Sequence, residues 1–393
     1  MIIDTDTHSI PLEIFSHPAL QTDLGKKYAK RAIAICIGHA DPNERWEKMY
    51  NDVKDPSWPD CKKVEDFPNL PLTIRKELKE NFEFELVYIS DDYTQLHVEH
   101  LGLEATNLQH QELSGRHFCK VDKQVINAQS RGMKMIYSTE PELAIQIMTA
   151  WNDTLHDLCQ KNSFYDYTLW LAMQDINASF EELKRCKDRD FFAVWMDDRM
   201  PYAWVKELHP IFEFCNDYKI PIYFHRASID DAPLQWTWDY DHPRFIEQKK
   251  TWPFDIFVEN NVRWTSNIAS LITEGILDKY PDLRLVVAEK GLEWMHFMRK
   301  TMLQHKWKDP LPYIRKNFWF TTEPEDENFL ETASFIGWDK MLFATDYAHN
   351  DPGGNNRFKD VDLLNEWLAK GTITQEQYDL ITHKNYFFLK ARK

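Results

Sequence analysis

The chain opens with Met1-Ile2-Ile3-Asp4-Thr5-Asp6-Thr7-His8, and this stretch decides the fold prediction. Its apolar start predicts a buried strand. Side chains alternate between the two faces of a strand, so Asp6 and His8 point the same way. A carboxylate and an imidazole are both good ligands for a divalent metal such as Zn²⁺. Alone, the triplet fits a capping Asp and a surface His equally well, so further ligands have to come from elsewhere in the chain.

Strand-like and helix-like segments alternate from about residue 84 onward, and several of the strands are apolar throughout, as parallel strands covered on both faces are. Helical spacing follows Pro141 and Pro201, and a further helix ends at Pro281. Repeated β-then-α units predict an α/β fold, a (β/α)8 TIM barrel. A doubly wound open sheet is the rival, but no GxGxxG follows any strand. The predicted strands are 1–6, 103–107, 167–172, 191–196, 221–225, 283–288, 319–322 and 341–345.

Two segments interrupt the alternation, at about 36–85 and 228–262. The first is rich in proline and charge, and the second carries three tryptophans and several aspartates. We interpret the chain as one domain over 1–393 with two loop insertions, because long loops on a barrel often form lids or binding walls. The aromatic insertion fits an oligomer interface as an alternative, so a homodimer is left open.

Polar residues follow several of the predicted strands at their C-terminal ends, where a parallel barrel carries its active site. His225 ends the fifth strand, Glu289 follows the sixth, and Asp346 follows the eighth. Buried carboxylates that converge need a cation to neutralise them. Each residue alone suits a structural role, but the coincidence of strand-end positions favours a metal. The ligand set of two oxygens and two nitrogens suits Zn²⁺, with Mn²⁺ or Fe²⁺ as alternatives: Asp6, His8, His225 and Asp346.

Composition and charge limit the partners of this protein. The formal charge is −16, from 47 basic and 63 acidic residues, which argues against a nucleic-acid binder. No apolar stretch is long enough to cross a bilayer, and the opening residues have no basic region or apolar h-region, so a cleaved signal peptide is not expected. The six cysteines contain no CxxC pair and are typical of reduced thiols. These features predict a cytoplasmic protein that acts on a small molecule.

Five segments together resemble one family. Residues 3–8 are similar to its first-strand metal motif, 220–225 to its fifth-strand histidine motif and 343–349 to its eighth-strand motif. Residues 141–153 resemble the helix before its third strand, and 280–294 its sixth-strand motif. The chain resembles the amidohydrolase superfamily, in the amidohydrolase-related branch that includes the aminocarboxymuconate semialdehyde decarboxylase-like proteins.

This resemblance implies a barrel with one catalytic divalent metal, held by the same four ligands. Two departures bear on the mechanism. Glu289 stands where the well-studied decarboxylases of the branch carry a histidine. The fourth predicted strand, at 191–196, contains no lysine, so the two-metal site built on a carbamylated lysine is not expected.

The leading functional hypothesis is metal-dependent hydrolysis of a small ester, lactone or amide of a carboxylic acid by a metal-activated water. Asp346 or Glu289 would take and return the proton. His349, just beyond the eighth strand, would hold the developing oxyanion or a substrate carboxylate, and Trp294 would form a wall. One alternative is a non-oxidative decarboxylase of an aromatic or enoic acid, with Glu289 as the acid. Another is a non-catalytic barrel used for binding.

Overall fold

The structure, a computed structural model, describes most of the barrel and its surrounding helices. The described residues are 1–9, 11–26, 88–89, 96–97, 108, 111–112, 115–128, 141–197, 205–225, 264–288, 294–322, 324, 328–347 and 360–392. Both predicted insertions, at about 36–85 and 228–262, lie wholly outside these ranges. Glu289 and His349 also lie outside them.

Eight parallel strands form the barrel, and each pairs with the next one along the chain. This arrangement confirms the predicted (β/α)8 barrel. A separate antiparallel pair, β2 with β3, stands outside it. The strands are β1 (Ile3–Ser9), β2 (Tyr88–Ile89), β3 (Leu96–His97), β4 (Lys123–Ala128), β5 (Tyr165–Trp170), β6 (Ala193–Asp197), β7 (Ile222–His225), β8 (Leu285–Val287), β9 (Phe318–Thr322) and β10 (Met341–Phe343).

Helices follow the strands and cover the outside of the barrel. Among the described residues, none of them is long and apolar enough to cross a membrane. The third predicted helix is divided in two at Gly275, whose φ of 75° is in the left-handed region that suits glycine. The helices are α1 (Pro141–Lys161), α2 (Ile176–Cys186), α3 (His209–Tyr218), α4 (Trp264–Thr273), α5 (Ile276–Lys279), α6 (Trp294–Gln304), α7 (Leu311–Asn317), α8 (Phe329–Ile336), α9 (Asp360–Ala369), α10 (Gln375–Asp379) and α11 (Asn385–Lys390).

The prediction for the second barrel strand is wrong. The strand that pairs with β1 is β4, and in its register Ile3 lies opposite Lys123 and His8 opposite Asn127. The predicted strand at 103–107 lies outside the described residues. The sequence pattern failed here because β4 begins with polar residues and places Asn127 inside the barrel, so it lacks the apolar run expected of a buried strand. The other seven predicted strands overlap strands of the structure.

The barrel closes between β1 and β10 through a few specific contacts. Thr7 forms an isolated parallel bridge with Tyr347, and the His8 amide donates to the Tyr347 carbonyl at 2.6 Å. The Thr5 hydroxyl donates to the carbonyl of Phe343 at 2.8 Å. Asp346 lies in this closing segment with a φ of 52°, a left-handed conformation that Asp tolerates better than most residues. The chain therefore places Asp346 next to the end of β1.

The opposite, N-terminal mouth of the barrel is packed against the last described segment. The hydroxyl of Tyr386, on α11, donates to the buried carboxylate of Asp166 near the start of β5. Lys390 pairs with the same carboxylate at 2.6 Å. The ring of Tyr386 stacks on Phe192 with 5.1 Å between centroids. Packing at this end of a barrel serves stability rather than catalysis, which leaves the C-terminal end for chemistry.

Candidate metal centre

Four side chains predicted as ligands come from strand ends on the C-terminal side of the barrel. Asp6 and His8 belong to β1, His225 is the last residue of β7, and Asp346 follows β10. All four are buried, and the side chain of Asp346 is the most accessible at 8% exposure. Alternation along β1 directs Asp6 and His8 to the same side, as the sequence predicts.

The structure brings Asp6, His8 and His225 together as a cluster whose ligand atoms all lie within 4.8 Å of one another. His8 Nε2 is 3.2 Å from His225 Nε2 and 3.6 Å from Asp6 Oδ1. His225 Nε2 is 3.8 Å from the same Asp6 oxygen. Asp346 contacts the cluster at His8, because its Oδ1 lies 3.0 Å from His8 Nε2.

The tautomer of His8 tests whether these residues fit a cation. His8 Nδ1 lies 3.2 Å from the carbonyl oxygen of Ala128. A carbonyl only accepts hydrogen bonds, so this contact places a proton on Nδ1 and leaves the lone pair of a neutral imidazole on Nε2. That lone pair then faces two carboxylate oxygens and a second imidazole nitrogen. A divalent cation satisfies this set of buried acceptors, and nitrogen with carboxylate oxygen is the donor chemistry that Zn²⁺, Mn²⁺ or Fe²⁺ accepts.

The Asp6 carboxylate is held by residues that sequence reasoning missed. Asn127 Nδ2, on β4, donates to Asp6 Oδ1 at 2.8 Å, and the Thr321 hydroxyl, on β9, donates to Oδ2 at 3.4 Å. Both partners are buried polar residues. An Asn or Thr at an inward strand position near the C-terminal end is the signal that could have identified them, because a buried amide or hydroxyl requires a partner.

Aromatic rings line one side of the cluster. The Trp195 ring, on β6, lies 6.1 Å from the His225 ring at an interplanar angle of 30°, and the Tyr223 ring lies 6.3 Å from it at 15°. Trp170, on β5, lies 6.5 Å from Trp195. The strand register sets Trp170, Trp195 and Tyr223 side by side. Offset rings at these distances give the site a flat, apolar flank.

A further buried carboxylate, that of Asp4, lies near the cluster on β1. Burial raises the pKa of Asp4 to about 7, and hydrogen bonds from Thr345 oppose this shift. The Thr345 amide donates to Asp4 Oδ1 at 3.0 Å and its hydroxyl donates to Oδ2 at 2.5 Å. These contacts join β1 to the segment after β10, so they position Asp6 and Asp346 relative to each other.

Trp294, predicted as a substrate wall, starts α6 and is buried at 2% exposure. Its ring packs against Phe320 of β9 with 6.2 Å between centroids. Alternation along β9 directs Phe320 away from Thr321, which faces Asp6, and so toward the helices. The substrate-binding role of Trp294 stays a prediction, as do the roles of Glu289 and His349, which lie outside the described residues.

Comparison with known proteins identifies the family. The amidohydrolase family model matches residues 140–385, which is well over half of the chain. The chain belongs to the amidohydrolase family. Membership of this family favours an enzyme of the metal-dependent hydrolase or carboxy-lyase type over the non-catalytic alternative.

A curated relative and two solved structures extend this comparison. The amidohydrolase chain is 23% identical over 228 residues to gamma-resorcylate decarboxylase from Polaromonas sp., a match that covers 52% of the chain and 64% of the relative. An amidohydrolase from Mycobacterium avium subsp. paratuberculosis K-10 superimposes with a TM-score of 0.63 at 19% identity, over 99% of each chain.

The second solved structure is a dihydroxybenzoic acid decarboxylase from Polaromonas sp. JS666. It superimposes with a TM-score of 0.60 at 14% identity and covers 99% of this chain and 96% of its own. That structure holds manganese and an inhibitor, 2-nitroresorcinol. At these identities the two structural matches establish the shared barrel fold.

Proposed function

We propose that this amidohydrolase is a metal-dependent, non-oxidative decarboxylase of a hydroxylated aromatic acid. The observation that carries the proposal is the sequence match to gamma-resorcylate decarboxylase. The aromatic flank formed by Trp170, Trp195 and Tyr223 beside the ligand cluster supports it, because flat apolar walls suit a ring-shaped substrate. The proposal replaces hydrolysis, the leading hypothesis from sequence, with the decarboxylase alternative.

We propose Asp6, His8, His225 and Asp346 as the residues that hold the ion. A bound divalent cation would supply Lewis-acid polarisation of the substrate carboxylate and of a neighbouring ring hydroxyl. The sequence prediction of Zn²⁺ stands beside Mn²⁺, the ion present in the similar decarboxylase structure. The aromatic flank would orient the ring and exclude water from it, which strengthens the electrostatic interactions within the site.

In the proposed reaction the bond between the carboxyl carbon and the ring carbon breaks. Carbon dioxide leaves, and the electron pair stays on the ring carbon, which takes up one proton in place of the carboxyl group. Asp346 is the proposed proton carrier, since its carboxylate is the most accessible of the four ligand side chains and faces His8 at 3.0 Å. Glu289, which takes the position of a family histidine, is the alternative carrier.

The test is a direct product analysis. The protein is loaded with Mn²⁺ or Zn²⁺ and incubated with 2,6-dihydroxybenzoate and its isomers, and the phenol and CO₂ are quantified. Decarboxylation should release the two in equal amounts, and Asp346→Asn should abolish it. The reverse reaction, carboxylation of resorcinol in bicarbonate, should also occur. Release of neither product, together with hydrolysis of an ester, lactone or amide panel, would overturn the proposal.

Hydrolysis is the second candidate, and the replacement of the family histidine by Glu289 favours it. A carboxylate can act as the base that deprotonates an attacking water when its pKa is near neutrality. Glu289→Gln distinguishes the two candidates. Hydrolysis would be lost in this variant, whereas a decarboxylation that uses Asp346 as its proton carrier would persist.

A further inference from the structure

We propose that Asn127 and Thr168 form a positioning relay that fixes the orientation of the Asp6 carboxylate and so sets the metal affinity of the site. The inference rests on the metal site of the proposed function, and it assigns a role to two residues outside the predicted ligand set. Both are fully buried and come from neighbouring barrel strands, β4 and β5.

The direction of every hydrogen bond in the relay follows from the chemistry of its members. The Thr168 hydroxyl donates to Asn127 Oδ1 at 2.9 Å. The amide nitrogen of Asn127 has two protons, and it lies 2.8 Å from Asp6 Oδ1 and 3.3 Å from the Tyr223 hydroxyl oxygen. The Tyr223 hydroxyl donates its own proton to the Thr5 carbonyl at 3.1 Å, so toward Asn127 it acts as an acceptor.

This arrangement permits only one orientation of the Asn127 amide. If the amide were rotated by half a turn, its oxygen would face the Asp6 carboxylate, which only accepts hydrogen bonds when ionised. The same rotation would place the amide nitrogen against Thr168. The Asp6 carboxylate thus requires the Asn127 nitrogen on its side, and in that orientation Thr168 donates to the amide oxygen while Tyr223 accepts from the amide nitrogen.

The oxygen that Asn127 contacts is the one nearest the histidines. Asp6 Oδ1 lies 3.6 Å from His8 Nε2 and 3.8 Å from His225 Nε2. A carboxylate oxygen has two lone pairs, so one can accept from Asn127 while the other faces the histidine nitrogens. Loss of the amide would leave Asp6 free to rotate about its Cβ–Cγ bond, and the cation would then have to order it on binding.

The test measures metal binding to the apo protein rather than activity. Mn²⁺ is titrated by calorimetry or EPR, and Zn²⁺ by chelator competition, into wild type, Asn127→Leu, Thr168→Val and the double variant. Removal of groups that orient metal ligands weakens binding by roughly 10–100-fold, which is the loss expected for Asn127→Leu. Thr168→Val, which keeps the side-chain volume, should weaken binding less, and the double variant should bind no worse than Asn127→Leu.

Asn317→Leu is the matched control. Asn317 is also a buried asparagine, and its amide donates to the carbonyls of Pro281 and Leu283 before β8, away from the ligand cluster. This variant should lower the melting temperature of the apo protein and leave the metal affinity unchanged.

Four results separate the possible outcomes. Wild-type metal affinity in Asn127→Leu would overturn the relay, and so would an equal loss from Thr168→Val in the wild-type and Asn127→Leu backgrounds. Thr168→Val still decides the matter if Asn127→Leu does not fold, because wild-type affinity in that variant would exclude transmission through Asn127. A wild-type protein that binds neither ion would instead overturn the metal site on which the proposed function depends.

Discussion

Asp346 Oδ1 lies 3.0 Å from His8 Nε2, which joins the last strand of the barrel to the first at the ligand cluster. Asp346→Asn keeps the side-chain size and remains compatible with the left-handed backbone at this position. Because it removes the charge and the proposed proton carrier, we expect the turnover rate to fall by about 100-fold or more. Steady-state kinetics with the substrate identified by product analysis measure the effect.

Asp339→Asn is the control for Asp346→Asn, because Asp339 is an exposed aspartate at the opposite end of the same strand. It should retain the wild-type rate. An Asp346→Asn variant that turns over as fast as the wild type would exclude Asp346 from the reaction.

Metal removal should lower the stability of the barrel, because an ion that binds only the folded state stabilises it. At a free concentration 100-fold above Kd the stabilisation is about 2.7 kcal/mol, which corresponds to a rise in Tm of roughly 3–8 °C. The measurement is thermal unfolding of the chelator-treated protein with and without added Mn²⁺ or Zn²⁺. The variant His8→Ala/His225→Ala should show no such rise, and an equal rise in it would mean that the ion binds elsewhere.

Trp195→Leu should weaken the binding of an aromatic substrate. The Trp195 ring flanks the His225 ring at 6.1 Å, so its loss removes a flat contact surface beside the cluster. Aromatic contacts contribute about 0.5–1.5 kcal/mol, so we expect KM to rise by roughly 3–10-fold while metal affinity is unchanged. Trp367→Leu, on α9, is the control because Trp367 packs against Phe329 in the outer layer. Equal effects of the two substitutions would assign Trp195 a purely structural role.

Tyr386→Phe should destabilise the protein without affecting its chemistry. The Tyr386 hydroxyl donates to the buried carboxylate of Asp166 at the end of the barrel opposite the metal cluster. Loss of a hydrogen bond to a buried charged group costs about 1–3 kcal/mol, measurable by urea unfolding. Tyr378→Phe, which removes an exposed hydroxyl that donates to Asn365, should cost less. A changed metal affinity in Tyr386→Phe would contradict a purely structural role for the N-terminal end of the barrel.

Acid should weaken the ion pairs of Asp153 with Arg185 and Arg189 on the outside of the barrel. Burial opposes ionisation of Asp153, on α1, but hydrogen bonds from Arg185 and Arg189 outweigh it and lower the pKa of its carboxyl below the ordinary value. A carboxyl with a lowered folded-state pKa stabilises the protein above its unfolded-state pKa of about 3.9 and loses that contribution as pH falls through the folded value. The unfolding free energy of the wild type should therefore fall more steeply below about pH 4 than that of Asp153→Asn.

The matched control for Asp153 is Asp157→Asn, one helical turn further along α1. Its acid dependence of unfolding should follow that of the wild type. Parallel curves for wild type and Asp153→Asn would show that the ion pairs with Arg185 and Arg189 contribute nothing to acid stability.

Much of the fold was predictable because most of the barrel strands carry apolar runs, and several of these end in a polar residue. His225 and Asp346 stand out in this way, and Asp6 with His8 share a strand face by simple alternation. The register of β4 was not predictable from an apolar pattern, since Asn127 faces inward and satisfies Asp6. Its role depends on a contact between distant segments, and sequence spacing carries no information about such contacts.

The choice between hydrolysis and decarboxylation was also beyond the sequence pattern. Asp6, His8, His225 and Asp346 would serve a divalent ion in either reaction, so the ligand types alone favour neither. The aromatic flank that supports the proposed decarboxylation comes from Trp170 and Trp195, which look like ordinary core tryptophans within apolar strands. Their position beside His225 emerges only from the strand register.

Within the part of the chain that the structure describes, the closure between β1 and β10 depends on one backbone bridge and a few side-chain contacts rather than on a full ladder. A cation shared by His8 and Asp346 would cross-link the two strands at this seam from inside the barrel. The ion would then stabilise the closed barrel as well as take part in the reaction. Depletion of the metal should therefore make this seam between β1 and β10 the first part of the barrel to unfold. Proteolysis and misfolding should begin there.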